Sequence, residues 1–499
     1  MNAARRRVGL WLGFGVGLMG ILLTGGLLSA TPAHAVEEGV TFPFYPSFLQ
    51  LEDGKTTSLE DWSDPMVCGG CHPRQYEGWK SSMHANAFID PVFQAEWAKG
   101  YQDTDGEVLN LCGGCHTPIG VMTGTVKYDP DVGKYGGFTA PGVAAMGVSC
   151  DVCHSVTDTN ARHTTTGNPG NASLVLAPGD VKRATLKDAV SPFHATEYSE
   201  LHGRAELCAN CHNIFHPNNN FPIEHTYDEW RMSAYAQNDI QCQDCHMVPV
   251  ETAIRVADTM TRPHDLPDHG LEGMAGVGAA GPRELVHDHG FVGGNTVIAG
   301  VLGVPGAEDN RAEAIKRLQN VADLDIEIIP GMQGANLLRV KVSNARAGHH
   351  LPTSLTFIRQ VWLEVEVRDD QGRLLLSSGA LEDNRVPEDA VMFTNKSVDQ
   401  DGNLTVDPWR IAGFVHMNTI PPKGYRYGTY SFRLPEDASS FTVDAKLNYQ
   451  SYHQDLADDL LGEGAIEVPV VTMRELTRRY NAADLERADA GRDSAVAHR

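Results

Sequence analysis

The sequence has no cysteine outside one repeated motif, and none after Cys245. It is poor in basic residues, with 40 Lys and Arg against 64 Asp and Glu, and beyond residue 30 no apolar run is long enough to span a bilayer. The net charge of −24 becomes −27 without the three arginines of the first 35 residues. Nucleic acid is therefore excluded as a partner, and anionic membrane surfaces are poor ones.

All ten cysteines belong to five C-x-x-C-H motifs. The motifs are Cys68-Gly-Gly-Cys71-His72, Cys112-Gly-Gly-Cys115-His116, Cys150-Asp-Val-Cys153-His154, Cys208-Ala-Asn-Cys211-His212 and Cys242-Gln-Asp-Cys245-His246. This is the spacing of covalent haem attachment. The two thiols add to the two vinyl groups of one haem, and the next residue presents its imidazole to the iron as the proximal ligand. The sequence thus predicts five covalently bound c-type haems.

Two other sites use closely spaced cysteine pairs. A redox C-x-x-C needs no histidine after the second cysteine, and a zinc site needs two such pairs for each metal. A disulfide framework leaves the five histidines unexplained. Haem attachment accounts for every cysteine and for the residue that follows each pair.

The N-terminus has the three parts of an export signal. Arg5 to Arg7 precede an apolar run from Val8 to Ala30, and Ala33-His34-Ala35 is a small-x-small cleavage site. We expect export to the periplasm or the cell exterior of a bacterium, where c-type attachment is completed. Because the run is long for a signal, an uncleaved membrane anchor is the alternative.

The pattern of the chain changes from helical to alternating at about residue 325. The haem region is rich in Gly, Pro and Asn, which predicts short helices packed on haem, and alternating apolar residues such as Val361, Leu363 and Val365 predict an antiparallel β-sandwich after it. The predicted fold is multidomain: a mostly α cytochrome domain with little regular structure, then an all-β domain. The predicted boundaries are 1–35 signal, 36–60 lead-in, 61–295 haem domain, 296–324 connecting helix, 325–471 β-sandwich and 472–499 helical tail.

Several other histidines are candidate distal ligands. His84 lies twelve residues after His72; if that stretch is helical, the two are about 18 Å apart, so His84 binds a neighbouring iron. His194 and His202 precede the fourth motif in a polar segment. His287 and His289 diverge on a helix, and of the two we favour His289.

A further candidate pair lies in the β region. Ala347-Gly348-His349-His350-Leu351-Pro352-Thr353 is a loop with two adjacent histidines beside Gly and Pro. We expect one of His349 and His350 to reach a haem, and an interdomain hydrogen bond is the alternative.

Two features bear on other chemistry. Tyr235 stands where the earlier stretch Gln75 to Ala85 has His84, which predicts a distal ligand from elsewhere or an open haem, with His225, His216 and Arg231 as proton donors and anion holders. Asp103-Thr-Asp105-Gly106-Glu107 faintly resembles a calcium loop, but a turn is the preferred interpretation, so calcium is not expected as a cofactor.

The haem region resembles a group of multihaem c-type cytochromes. The resemblance rests on the first motif followed by Gln75-Tyr76-x-x-Trp79-x-x-Ser82-x-His84, and on Thr226-Tyr-x-Glu-Trp230 leading into the fifth motif. It covers residues 61 to 295. The group includes the tetrahaem electron acceptor of ammonia oxidisers, with hydroxylamine oxidoreductase and pentahaem nitrite reductase as distant relatives, and holds both carriers and enzymes. A C-x-x-C-K site and an evident cross-linking tyrosine, which mark those enzymes, are missing.

Two functions of different classes follow. The first is an electron carrier with a row of mostly bis-His haems and redox protein partners, basic or membrane-bound. The alternative is an oxidoreductase of a small nitrogen or sulfur species at one open haem, with its catalytic residues unassigned. Assembly into a homo-oligomer or haem filament is a third hypothesis.

Overall fold

Short helices carry the attachment motifs, and antiparallel sheets fill the C-terminal half. The computed structural model describes residues 42–297, 301–331 and 335–485, all within one compact unit. The predicted export signal, the first residues of the lead-in and the end of the predicted tail lie outside the described residues. Within the described ranges, no helix is long and apolar enough to cross a membrane.

Four of the α-helices described in the haem region begin at proline, whose fixed φ suits the first helical position. Asp64 and Asp90 cap two of them by accepting backbone N–H groups. The α-helices are α1 Pro65–Gly69, α2 Pro73–Lys80, α3 Pro91–Asp103, α4 Leu109–His116, α5 Pro118–Met122, α6 Cys150–His154, α7 Ala205–Ala209, α8 Thr226–Arg231, α9 Ala234–Gln237, α10 Gln243–His246 and α11 Val250–Thr259.

The strands of the haem region are two to four residues long and pair in twos and threes. They are β1 Gln50–Leu51, β2 Lys127–Asp129, β3 Gly137–Thr139, β4 Val156–Thr159, β5 Leu174–Leu176, β6 Lys182–Ala184, β7 Thr196–Tyr198, β8 Ile214–Phe215, β9 Pro222–Glu224, β10 Gly273–Met274 and β11 Pro282–Arg283. Single 3₁₀ turns occur at Leu59–Asp61, Gly142–Ala145, Ala161–His163, Glu200–Gly203 and Pro263–Asp265.

The haem region has several small apolar clusters in place of one core. One contains Trp62, Ile119 and Leu176, and another contains Trp230 and Tyr235. Next to them lies a cavity of about 1630 Å³ lined by residues of all five motifs. The region therefore packs around an internal space that holds the attachment groups.

Helix α12 Ala307–Val321 leads directly into the C-terminal strands. These are β12 Ala322–Pro330, β13 Ala335–Asn344, β14 Gln360–Asp369, β15 Leu374–Ser378, β16 Val391–Met392, β17 Asn395–Val398, β18 Gly413–Met417, β19 Tyr425–Arg433, β20 Ser440–Gln450 and β21 Val471–Asn481. A 3₁₀ turn spans Pro408–Arg410, and helix α13 Gln454–Leu461 interrupts the strands.

Two antiparallel sheets share one apolar core. One has the order β12-β13-β19, and the other has the order β15-β14-β20-β21, with β16 also paired to β14. Alternate residues of β13 and β14 point into this core, among them Leu338, Val340, Leu363 and Val365, all fully buried. The predicted antiparallel strand-rich region is confirmed, while helix α13 was not foreseen.

The predicted helical tail is wrong for its first ten residues. Val471–Asn481 pairs with β20 over its whole length. Val471 and Met473 are buried in the shared core, and the exposed side chain of Arg478 forms an ion pair of 2.7 Å with Asp325. The charges that suggested a solvated helix are those of an edge strand, a position where charged side chains are common.

Candidate haem centres

Each attachment motif contains a turn of helix. In three motifs the histidine N–H donates to the carbonyl of the first cysteine: His72 to Cys68 at 2.8 Å, His212 to Cys208 at 3.0 Å and His246 to Cys242 at 2.9 Å. Residues at i, i+3 and i+4 lie on one helix face. The turn therefore presents two thiols and one imidazole to the same side.

The motif histidines all have Nδ1 engaged in a hydrogen bond. The partners are Ala275 O for His72 at 2.7 Å, Ala87 O for His116 at 2.9 Å, Arg183 O for His154 at 2.7 Å, Glu224 Oε1 for His212 at 3.2 Å and Val292 O for His246 at 2.8 Å. Such a bond fixes the ring and leaves Nε2 free for a metal, the usual arrangement of a ligating histidine. The residues thus fit the attachment of haem.

Burial keeps several of these rings neutral. It lowers the pKa of His116 to about 4 and that of His246 to about 3. His84 has its pKa lowered to about 3, by burial first and then by the nearby His212. Neutral imidazole is the form that binds iron, so these rings are in the protonation state that ligation requires.

Three motif histidines each face a second histidine across a gap. The ring centres are 6.4 Å apart for His72 and His194, 6.2 Å for His212 and His84, and 6.2 Å for His246 and His349. Two imidazoles on opposite sides of one metal, at about 2 Å per metal–nitrogen bond, have ring centres roughly 6 Å apart. Each pair is therefore spaced for one iron between its rings.

His154 has two neighbouring histidines, His289 at 6.3 Å and His202 at 5.8 Å between ring centres. His289 uses Nδ1 for the His287 carbonyl at 3.0 Å, which leaves Nε2 free. His202 instead uses Nε2 for the Cys153 carbonyl at 2.9 Å. The hydrogen bonds therefore favour His289 as the partner of His154.

His116 differs from the other four motif histidines. The Phe93 ring stacks on the His116 ring, with 3.5 Å between the ring centres and 4° between the ring planes. Among the residues that the structure describes, no histidine ring lies opposite His116. The sequence predicted enough histidines for five distal positions. His350, one of those candidates, binds Thr419 Oγ1 at 2.8 Å and faces no motif histidine.

Two chain segments hold the facing rings in place. Gly147, at φ +60°, approaches His84 so closely that a Cβ there would lie 2.2 Å from the His84 carbonyl, and Val148 N–H donates to that carbonyl at 2.8 Å. In the segment 289–292, His289 faces His154 and Phe291 contacts His84. The backbone contacts of this segment gave no signal in the sequence.

The loop Ala347–Thr353 brings His349 to the fifth motif. The buried carboxylate of Glu229 accepts the His350 N–H at 3.0 Å and the Thr353 hydroxyl at 2.5 Å. Asn344 Nδ2 donates to the His349 carbonyl at 2.8 Å. The predicted contact of this loop with the haem region thus includes a ring facing His246 as well as hydrogen bonds between the two regions.

For Tyr235 the sequence predicts one of two alternatives, a distal ligand from elsewhere or an open haem. Tyr235 is buried, with 1% of its surface exposed, and the ring facing His246 is that of His349. His216 binds the Trp409 carbonyl at 2.8 Å, and Arg231 pairs with Asp228 at 3.3 Å. His225 lies 3.3 Å from Glu229. Each of these three groups thus has a hydrogen-bond or ion-pair partner, and their proposed roles as proton donors and anion holders stay predictions.

The weak calcium motif forms the end of a helix and a turn. Asp103 ends α3 and accepts the Trp409 Nε1–H at 3.2 Å. Gly106, at φ +91°, donates to the Tyr101 carbonyl at 2.8 Å. The preferred interpretation of these residues as a turn therefore describes their backbone.

Cysteines of different motifs lie side by side. The interacting pairs are Cys68 with Cys150, Cys115 with Cys211 and Cys208 with Cys242, and Cys153 lies near both cysteines of the fourth motif. Cysteines of three other motifs therefore interact with those of the fourth motif. The first motif adjoins the third.

Comparisons with known proteins bear on the family and the fold. A family model described as cytochrome c554 and c-prime matches residues 67–155. The crystal structure of a penta-haem cytochrome c552 from Thermochromatium tepidum is similar in fold, with 17% identity, a TM-score of 0.56, and coverage of 84% of this chain and 99% of that one.

Other comparisons add little. MtrC from Shewanella baltica OS185 matches with 12% identity over 52% of this chain and 46% of its own, at a TM-score of 0.19, which is too low to inform on the fold. No curated protein matches the chain. The motifs, the family match and the shared fold together support a multihaem c-type cytochrome with covalently bound haem.

Proposed function

We propose that this chain is an exported electron carrier with five covalently bound haems, four of them ligated by two histidines. The facing rings, with centres 6.2 to 6.4 Å apart, carry the proposal. Haem iron supplies one-electron transfer. Each cysteine pair tethers one group, and two imidazoles close both sides of the iron to small molecules, as a carrier requires.

The cysteine contacts between motifs support a branched row. The first motif adjoins the third and the third adjoins the fourth, and the second and fifth motifs both adjoin the fourth. We therefore propose that electrons pass through the fourth site between three ends. The excess of acidic residues favours a basic redox partner, whose association would be faster at low salt.

Electron paramagnetic resonance of the oxidised protein tests this proposal. We expect four low-spin signals from bis-His iron and one high-spin signal from the site of His116. Intact mass should give five haems per chain. Fewer than five haems, or more than one high-spin iron, would contradict the proposed carrier.

A second candidate function rests on His116. Because no histidine ring faces His116 among the residues that the structure describes, a haem held there would lack a second histidine ligand, which suits an oxidoreductase of a small nitrogen or sulfur species. We expect carbon monoxide to bind one haem of the reduced protein and change its Soret band. If a change appears, nitrite, hydroxylamine and sulfur oxyanions are the substrates to assay. An unchanged spectrum would exclude this function.

A further inference from the structure

The hydrogen-bond partner of His212 differs in kind from those of the other motif histidines. His72, His116, His154 and His246 each use Nδ1 for a backbone carbonyl, which is neutral. His212 uses Nδ1 for the Glu224 carboxylate at 3.2 Å. One site of the five therefore has an ionisable acceptor behind its axial ligand.

A hairpin holds Glu224 in this position. Strand β8 begins two residues after His212, and β9 returns antiparallel to it so that Glu224 pairs with Ile214. Glu224 is 7% exposed, and the Thr226 hydroxyl lies 3.5 Å from the same Oε1 atom. The carboxylate is thus fixed by the backbone and shielded from water.

Two donors reach the same oxygen of this carboxylate. His212 Nδ1 lies 3.2 Å from Glu224 Oε1 and the Thr226 hydroxyl lies 3.5 Å from it, and such hydrogen bonds favour the charged form of a carboxyl group. Hydrogen bonds with a charged partner are stronger than neutral ones, and low exposure strengthens them further. The ring of His212 is therefore polarised more strongly than a ring bonded to a carbonyl.

We propose that Glu224 is a positioning residue that lowers the reduction potential of the haem tethered by Cys208 and Cys211. The inference rests on the proposed electron-carrier function. An axial imidazole whose Nδ1–H is drawn toward a carboxylate donates more electron density through Nε2. Greater donation stabilises ferric over ferrous iron, and the potential of that site falls.

The position of this site gives the lower potential a role. The fourth motif is the one that adjoins the second, third and fifth motifs. An electron is less stable on a haem of low potential than on neighbouring haems of higher potential. It would therefore pass through the fourth site and remain at the sites of the first, second and fifth motifs.

The variant Glu224→Gln tests the inference in the full holoprotein. Its amide oxygen still accepts the His212 N–H but is neutral, which converts the fourth site to the type of the other four. Glu206→Gln is the matched control, because Glu206 lies beside Cys208 and binds the Tyr227 hydroxyl at 3.3 Å without contacting His212. A redox titration followed by electron paramagnetic resonance resolves the individual low-spin sites.

In Glu224→Gln we expect one midpoint potential to rise, with changed g values for that signal alone, and a smaller shift in Glu206→Gln. A fall of that potential, or an equal shift in both variants, would overturn the inference. The proposed function is judged separately by the count of five haems and by reversible reduction in both variants. Its failure would appear before any potential is compared.

Discussion

The His349 ring faces the His246 ring with 6.2 Å between their centres, although the two residues belong to different halves of the chain. His349 lies in a loop of the sheet region, and His246 ends the last attachment helix. The sheet region therefore places a histidine ring opposite the fifth attachment motif, and the proposed fifth haem site depends on how the sheets attach to the haem region.

Replacing His349 should open the fifth haem. In His349→Ala we expect one low-spin signal to be replaced by a high-spin signal, since the iron loses its sixth ligand. The adjacent His350→Ala is the matched control, because His350 binds Thr419 and faces no motif histidine. A high-spin signal of equal size in His350→Ala would show that the wrong histidine has been assigned.

The third haem should depend on His289 and not on His202. His289→Ala is expected to convert one further iron to high spin. In His202→Ala, every iron that is low-spin in the unmodified chain should stay low-spin. The reason is that His202 already uses Nε2 for the Cys153 carbonyl. The two variants, compared by electron paramagnetic resonance, decide the assignment, and the reverse result would refute it.

Glu229 should hold the Ala347–Thr353 loop in place. Glu229→Ala leaves the His350 N–H and the Thr353 hydroxyl without their acceptor, a loss of about 1–3 kcal/mol in unfolding free energy. Urea denaturation measures this loss, and a partial high-spin signal should accompany it as His349 moves. Glu229→Gln keeps an acceptor oxygen. If Glu229→Gln lowers the free energy of unfolding as much as Glu229→Ala does, the hydrogen bonds to the Glu229 oxygens do not hold the loop.

Stability should fall with rising pH because of Glu96. Burial, with the nearby Asp407, raises the pKa of Glu96 from 4.5 to about 7. Between these values the folded chain binds the proton more tightly than the unfolded chain, so the free energy of unfolding decreases as pH rises, by up to roughly 3 kcal/mol. Above pH 7 both states are deprotonated and the decrease stops.

Denaturation of the holoprotein at several pH values measures this effect. In Glu96→Gln we expect the decrease between about pH 4.5 and pH 7 to be smaller than in the unmodified chain. The exposed Glu107→Gln serves as control. Parallel pH profiles for the unmodified chain and Glu96→Gln would count against the assignment.

The sequence predicts what is local. Five C-x-x-C-H motifs predict the attachment sites because two thiols and a ligand within five residues need only one turn of helix. Alternation in β13 and β14 predicts strands because one face is buried. For His194 and His349 the residue type and context were enough to name candidates.

The sequence does not determine which rings meet. His202 and His289 occur in similar contexts, and they differ in whether a backbone carbonyl takes up Nε2 or Nδ1. The proposed role of Glu224 depends on the register of the β8–β9 hairpin, which cannot be predicted from the sequence of residues 214–224. From residue 472 the sequence predicts a helical tail in place of a strand, because the many exposed charges outnumber the buried Met473.

The loop that carries His349 follows all five attachment motifs in the chain. On the proposed ligation, haem attachment at the fifth motif does not require this loop, but the second axial histidine does. The spin state of the fifth iron would then report whether β13 and the following loop have folded against Glu229.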